Sequence, residues 1–287
     1  MSAFLKVIIR IIKATLVTVT VLTLSLGVAG GGWGAKEIPV THPFYSGELR
    51  LIAHRGVSDK APENTLAAAS RARELGFTTV ELDIKKSKDQ KLFLFHDRES
   101  TRLFGQEFPL QEKTLAELQA IPLIHSDPSA SHYVPDLETF TDRHGAELDF
   151  YLDFKRHGEY QYFDLASRIA DFLEQYQLTD RTFVGSDFLF TAYLEFLFPE
   201  IHTVFTGPGD WTIIMYRCIP IKFRPDFIIS YAREVTPTHI KWLQWQGLLS
   251  RRMLYGVNGA NYQRVREWNL PILVVDYHPI MDQDLVK

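Results

Sequence analysis

Two carboxylates two residues apart, Glu81 and Asp83, close the apolar run TTVELD. On an extended strand alternate side chains share a face, so both acids point the same way. Burying two uncompensated charges is very costly. At the end of a strand they would share a mouth and repel each other unless something positive sat between them, and an oxygen-preferring divalent cation is the natural guest. YLDFK repeats the spacing with Asp153 and Lys155. Asp153 would complete a three-carboxylate metal site, and Lys155 with Arg55 would supply positive charge for an anionic, phosphate-like group. Two histidines follow apolar runs, His54 after RLIA and His96 after KLFLF. Imidazoles titrate near neutrality and can exchange roles as general acid and base. Taken singly, each residue has a bland explanation: a salt-bridged strand end, a surface histidine, a solvated lysine. Their convergence on one end of one fold points to chemistry.

That convergence needs strands to deliver the side chains. Strand patterns fall at 50–53, 79–83, 149–153, 182–185, 202–205, 226–229, 252–256 and 272–275, and helical patterns at 64–75, 135–144, 161–176, 187–197, 237–246 and 261–268. Asn64 or Thr65 opens the first helix, and Gly76, Gly145 and Gly247 close three of them. Strands alternating with helices imply a parallel sheet, and eight in one domain imply a (β/α)8 barrel of the TIM type. A doubly wound open sheet is the competing architecture, weakened because no Gly-rich phosphate fingerprint follows the first strand. One run stands outside the eight. KLFLF follows the second strand after only KKSKDQ, too short for a parallel crossover, so it forms an extra hairpin strand. A turn centred near Asp89 sets His96 opposite Leu82, beside Glu81 and Asp83. Residues 121–134, rich in Ser, Pro and His, read as a surface connection.

The chain has 287 residues and a formal charge of −4. Residues 1–35 carry Lys6, Arg10 and Lys13 and no acid, which leaves 28 basic against 35 acidic side chains, or −7, on the rest. An acidic body argues against nucleic acid as a partner. Cys218 is the single cysteine, so there is no disulfide framework and no cysteine-based zinc site. The uncharged run from Ala14 to Ala35 is long enough, at about 1.5 Å per residue, to just span a bilayer as a helix. Thr15, Thr18, Thr20, Thr23 and Ser25 make it less apolar than most spans. The expected organisation is a membrane anchor over 1–35, a polar linker over 36–48 and a barrel over 49–287. Basic residues before the run put the N-terminus in the cytoplasm and the body on the extracytoplasmic, periplasmic side. Signal-peptide cleavage near Val28-Ala29-Gly30, releasing the body, is the alternative.

In order along the chain stand HRG at 54–56, PENT at 62–65, ELD at 81–83, HD at 96–97, KTLAEL at 113–118, VPDLETF at 134–140 and DFK at 153–155, then GSDF at 185–188, GVN at 256–258 and VDYHP at 275–279. This series resembles the glycerophosphodiester phosphodiesterase family over about residues 49–280. The resemblance implies a TIM-like barrel that hydrolyses glycerophosphodiesters to glycerol 3-phosphate and an alcohol, with a bound Ca2+ or Mg2+. It implies His54 and His96 as the acid–base pair, Glu81, Asp83 and Asp153 as metal ligands, and Arg55 and Lys155 as phosphate contacts. Glu63 or Asn64 would brace the site from behind, and Gly56 would let the chain turn without crowding the pocket. The chain departs from the family's pattern in three places. Asp153 stands where Glu is usual, Tyr255-Gly256 where Trp-Thr is usual, and Val275 where Thr precedes the Asp.

Phe205, Trp211, Tyr216, Phe223 and Tyr231 crowd the sixth and seventh strands. Besides loop and core packing, they could form an apolar rim for an acyl chain. The expected substrate is therefore a small glycerophosphodiester or, with a membrane anchor, a lysophospholipid cleaved by lysophospholipase D chemistry. A catalytically inactive lipid- or phosphate-binding barrel and an anchored scaffold are the non-enzymatic alternatives.

Overall fold

The computed structural model describes residues 3–29, 48–125, 130–154, 162–207 and 218–277, with the single positions 32, 36, 44 and 216. Lys155 and Trp211 lie outside the described residues. Eight parallel strands close into a barrel: β1 (Arg50–Ala53), β2 (Thr79–Lys86), β4 (Asp149–Phe154), β5 (Thr182–Ser186), β6 (His202–Thr206), β7 (Phe227–Tyr231), β8 (Arg252–Val257) and β9 (Ile272–Val275). They run round in the order β1-β9-β8-β7-β6-β5-β4-β2, and β2 pairs back onto β1 to shut the ring. The ninth strand, β3 (Leu92–Leu94), folds back antiparallel on the upper part of β2, with Ile84 opposite Leu94 and Lys85 opposite Phe93. Continued by the bond from Phe95 N to Asp83 O (2.9 Å), that register sets residue 96 opposite residue 82, as the sequence predicts.

The helices start where side chains can accept from bare backbone N–H groups. Thr65 accepts from Ala68 N to open α2 (Leu66–Glu74), and Asp136 from Thr139 N to open α5 (Leu137–His144). Asp187 opens α7 (Phe188–Leu197), and Thr236, followed by Pro237, opens α8 (Pro237–Gln246). With α6 (Tyr162–Gln175) and α9 (Tyr262–Arg266) they surround the barrel, and the main core lies between strands and helices. Inward side chains fill the barrel itself, among them Ile52, Tyr151, Phe183, Phe227, Ile229 and Met253.

Three expectations need correction. The connection expected on the surface over 121–134 is partly internal, with Leu123 and Val134 buried. Helices α3 (Thr101–Phe104) and α4 (Leu115–Gln119) and a bridge between Leu123 and His132 enclose a separate small core of Phe93, Phe95, Leu103, Phe104, Leu110, Leu118, Leu123 and Val134. Second, residues 1–35 do contain one long helix, α1 (Ala3–Ala29), but no helix among the described residues is long and apolar enough to cross a membrane. Between residues 11 and 27 it carries four threonines and a serine. Third, the 36–48 segment is no free tether at its described positions. Phe44 is 2% exposed and stacks on Phe183 with ring centroids 3.7 Å apart, plugging the end of the barrel away from the strands' C-termini.

Lys36 docks on that same lower end. Its ammonium lies 2.6 Å from Glu195 Oε2 and 2.8 Å from Asp226 Oδ1, and donates to Arg224 O at 2.7 Å. Burial, then the charge of Asp226, pushes the Glu195 carboxyl up to about 8, against the pull of Lys36. Asp226 is itself held low: burial opposes ionisation, but the hydrogen bond from His202 and the charge of Lys36 outweigh it. The folded cluster thus keeps a proton that an unfolded glutamate, titrating near ~4.3, has lost. That contribution to stability is full below the unfolded value and disappears as pH rises through about 8. Two outcomes follow. Lys36→Met leaves two acids buried without their cation and should destabilise by about 3–5 kcal/mol in urea unfolding, a loss under about 1 kcal/mol counting against the clamp. The wild type should lose stability from about pH 4 up to about pH 8, and Glu195→Gln should flatten that slope.

Candidate active site

The carboxyl ends of β1, β2, β4, β8 and β9 meet at the upper mouth, and their register decides which side chains gather there. Thr79 pairs with Ile52 and Val80 with Ala53, so Glu81 lies level with His54, the residue after β1. Asp83 pairs with Asp153 across β2 and β4. Glu81, Asp83 and Asp153 are 0%, 0% and 2% exposed, and one oxygen of each lies within 4.8 Å of the others. Lys85 continues the same alternation and is also buried. Three carboxylates held this closely out of water form an oxygen donor set suited to a hard divalent cation such as Mg2+ or Ca2+.

Each acid is fixed by a donor. Arg55 and Asn64 both adopt the left-handed backbone region, with φ 57° and 56°. Asparagine tolerates that conformation, whereas for arginine it is a strain of about 1–3 kcal/mol that the surroundings must hold. The bend aims the Arg55 backbone N–H at Glu81 Oε2 (3.0 Å) and sets its Nε 3.0 Å from Asp83 Oδ2. Asn64 uses its whole amide: Nδ2 donates to Asp83 Oδ2 (2.9 Å), and Oδ1 accepts from Asp83 N (3.0 Å). The Tyr255 hydroxyl donates to Asp153 Oδ2 at 2.9 Å and lies 2.8 Å from the Tyr151 hydroxyl. Gly56 has a different reason from the one expected. At φ 79°, a Cβ there would lie 2.7 Å from the backbone of Ala68 in α2, so the helix rather than the pocket excludes a side chain.

The histidines are oriented alike. His54 Nδ1 lies 2.6 Å from Asp276 Oδ1, which leaves Nε2 facing Glu81 Oε2 at 3.9 Å. His96 Nδ1 lies 2.8 Å from Asp97 Oδ1. A carboxylate on Nδ1 holds the proton there and presents Nε2 as the reactive nitrogen. Burial works to lower the His54 pKa, but the hydrogen bond to Asp276 and the charge of Glu81 outweigh it, and the imidazole is raised above its usual value. Glu63 joins the network with Oε1 2.8 Å from Arg55 Nη1. Its carboxyl stays low because Arg102 and Arg55 outweigh the cost of burial.

The structure thus brings together His54, Arg55, Glu63, Asn64, Glu81, Asp83, His96 and Asp153. It adds Asp97, Arg102 and Tyr151, to which the sequence reading assigned no role, and makes Asp276 and Tyr255, expected only to shape the pocket floor, direct partners of His54 and Asp153. Asp97 and Asp276 stood inside quoted motifs, HD and VDYHP, and their places after β3 and β9 were the signal available. The expected aromatic rim is only half present. Tyr231, 48% exposed, ends β7, and Phe205 in β6 meets Phe188 with centroids 5.7 Å apart. Tyr216 is instead buried at the lower end, donating to Pro225 O (2.8 Å), and Phe223 stacks on Phe196.

Residues 54–196 match the glycerophosphoryl diester phosphodiesterase family. A glycerophosphodiester phosphodiesterase of Caldanaerobacter subterraneus is 30% identical over 139 residues, 47% of this chain and 57% of that protein. Mouse glycerophosphodiester phosphodiesterase 1 is 33% identical over 121 residues, 39% of this chain and 35% of that protein. The chain therefore spans less than two thirds of either relative. Among solved structures, a glycerophosphodiester phosphodiesterase of Agrobacterium tumefaciens superimposes with a TM-score of 0.66 at 20% identity, over 82% of this chain and 99% of that one. A phosphodiesterase of Oleispira antarctica, in complex with its product sn-glycerol-3-phosphate, reaches a TM-score of 0.68 at 21% identity, over 85% and 98%. These two share the closed parallel barrel. With HRG, PENT, ELD and HD assembled around one mouth, residues 54–196 form a domain of the glycerophosphoryl diester phosphodiesterase family.

Proposed function

We propose that this protein hydrolyses glycerophosphodiesters to glycerol 3-phosphate and an alcohol. The observation that carries the reading is the pair of imidazoles, each held by a carboxylate on Nδ1, beside three buried acids. One imidazole takes the proton of the substrate's own glycerol hydroxyl, whose oxygen bonds to phosphorus. The other imidazole protonates the departing alcohol oxygen as its bond to phosphorus breaks. The cyclic phosphate so formed is then opened by water, with the two imidazoles exchanging roles. Arg55 and Lys155 hold the phosphate. Glu81, Asp83 and Asp153 would hold a divalent cation, Ca2+ or Mg2+, which when bound neutralises negative charge developing on the phosphate oxygens.

A catalytically inactive binding barrel is the rival from another class. Chelation with EDTA and His54→Ala should each reduce release of glycerol 3-phosphate by at least about 100-fold, with Mg2+ or Ca2+ restoring the first and not the second. Turnover indifferent to both treatments would remove these residues from the reaction.

Leu189, 59% exposed in the first turn of α7, and Tyr231 leave an apolar side to the mouth, opposite the charged groups on β1 to β3. That favours, as a second reading, lysophospholipase D action on lysophospholipids. Assayed side by side, glycerophosphocholine should release glycerol 3-phosphate faster than lysophosphatidylcholine releases choline. Activity on the second substrate alone would reverse the order of the two readings.

We also propose that residues 1–35 direct the barrel to the extracytoplasmic side, either retained at the membrane or released by cleavage. The apolar side chains of α1 support this, since Ile11, Leu16, Val17, Leu22 and Leu26 are all more than half exposed. Fractionation should find the full chain outside the cytoplasm and a chain lacking 1–35 inside it. Equal distribution of the two would reject the proposal.

A further inference from the structure

We infer that Arg102 is a positioning residue that locks the acid–base group His96 to the phosphate-binding group Arg55, an inference that rests on the phosphodiesterase reading above. The guanidinium makes two forks. Nε and Nη2 donate to Asp97 Oδ2 (2.5 Å) and Oδ1 (2.9 Å). Nη2 and Nη1 donate to Glu63 Oε1 (2.7 Å) and Oε2 (3.0 Å). Each carboxylate then passes the constraint on: Asp97 Oδ1 to His96 Nδ1 at 2.8 Å, and Glu63 Oε1 to Arg55 Nη1 at 2.8 Å. Arg55 Nε in turn lies 3.0 Å from Asp83 Oδ2. A continuous line of contacts, His96–Asp97–Arg102–Glu63–Arg55–Asp83, therefore runs round half the mouth.

Two features separate this from an ordinary surface ion pair, which contributes about 0–1 kcal/mol. A guanidinium has five N–H donors, and four are committed here to two carboxylates, so Arg102 is a cross-link rather than a hand held out to substrate. Its backbone is also set in place. Leu103 and Phe104 are buried in the small core after β3, and the Ser100 hydroxyl donates to Gln106 O (2.6 Å) and lies 3.0 Å from Phe108 O. The excursion over residues 98–134 thereby acquires a task, since it carries Arg102 to the gap between the loops after β1 and β3. Without the cation, Glu63 and Asp97 offer oxygens within 4.8 Å of each other and of His96, and their mutual repulsion would turn both loops apart.

The two arms of the cross-link predict separable effects. Glu63→Gln should mainly raise KM, through Arg55, and Asp97→Asn should mainly lower kcat, through His96. Arg102→Ala should do both, lowering kcat/KM by about 100-fold, and its combination with either variant should fall well short of additivity. Arg102→Lys, which keeps the charge and loses the forks, should fold and still lose about 10-fold. Added guanidinium ion should restore part of the Arg102→Ala activity, which it would not do for a variant that was merely unfolded. Ring 15N signals of His96 should show the Nδ1–H tautomer dominant in the wild type and mixed in Arg102→Ala. Variants within twofold of wild-type kcat/KM with unchanged His96 signals would overturn the inference. Should the wild type hydrolyse no glycerophosphodiester, the functional reading falls, and the His96 signals still decide the coupling.

Discussion

Three carboxylates of one sign, buried within 4.8 Å of each other, are the constraint from which the upper half of this barrel follows. Like charges out of water repel strongly, and the neighbouring chain is arranged to hold them. Arg55 bends into the left-handed region to bring both its backbone N–H and its guanidinium to bear. Asn64 does the same to clasp Asp83 with both ends of its amide. The strain is concentrated in the loop after β1, between a strand locked on both sides and a helix capped by Thr65, and those rigid flanks are what hold it.

The opposite end of the barrel carries the complementary load. Phe44 closes the lower opening, and Lys36 sits between Glu195, which keeps its proton, and the ionised Asp226 beneath the ends of β6 and β7. Neither contact reaches the mouth, so stability can be adjusted at the bottom without disturbing the site above, the division of labour this architecture favours. The contacts also mean that the segment leading from α1 is tied to the barrel at discrete points, and Gly32 O adds another by accepting from Ile221 N at 2.9 Å.

The barrel was legible because its signals are local. Strand and helix patterns gave element positions within a few residues, and a six-residue connection was enough to fix the β2–β3 hairpin and set His96 opposite residue 82. What stayed hidden depends on contacts between distant parts of the chain. Asp276 reaches His54 across 222 positions, and Arg102 reaches Glu63 across 39. Neither partner carries a periodic signature. The small core after β3 was missed because its apolar residues come in ones and twos, in helices of four and five residues too short to show a period. Tyr216 looked like a rim residue because sequence places it near Tyr231, whereas the connection from β6 to β7 has already descended to the lower end by that point.

Two departures from the family's pattern look independent in the sequence and are one feature in space. Asp153 is a methylene shorter than the glutamate usual there, and Tyr255 replaces a tryptophan 102 positions away. The Tyr255 hydroxyl reaches the shorter carboxylate at 2.9 Å, and Tyr151 lies 2.8 Å behind it, the two rings stacked 6.0 Å apart. Tyr151 fits only because residue 185 is glycine, where a Cβ would come within 2.5 Å of the Tyr151 ring. Burial, then the charge of Asp153, raises the pKa of Tyr255 well above its ordinary value, so it stays a neutral donor across the working range. A short carboxylate left to itself would be free to rotate away from Glu81 and Asp83. Tied from behind by a rigid phenol, it is held beside Glu81 and Asp83. Residues 153, 255, 151 and 185 are therefore packed as one unit on the floor of the mouth.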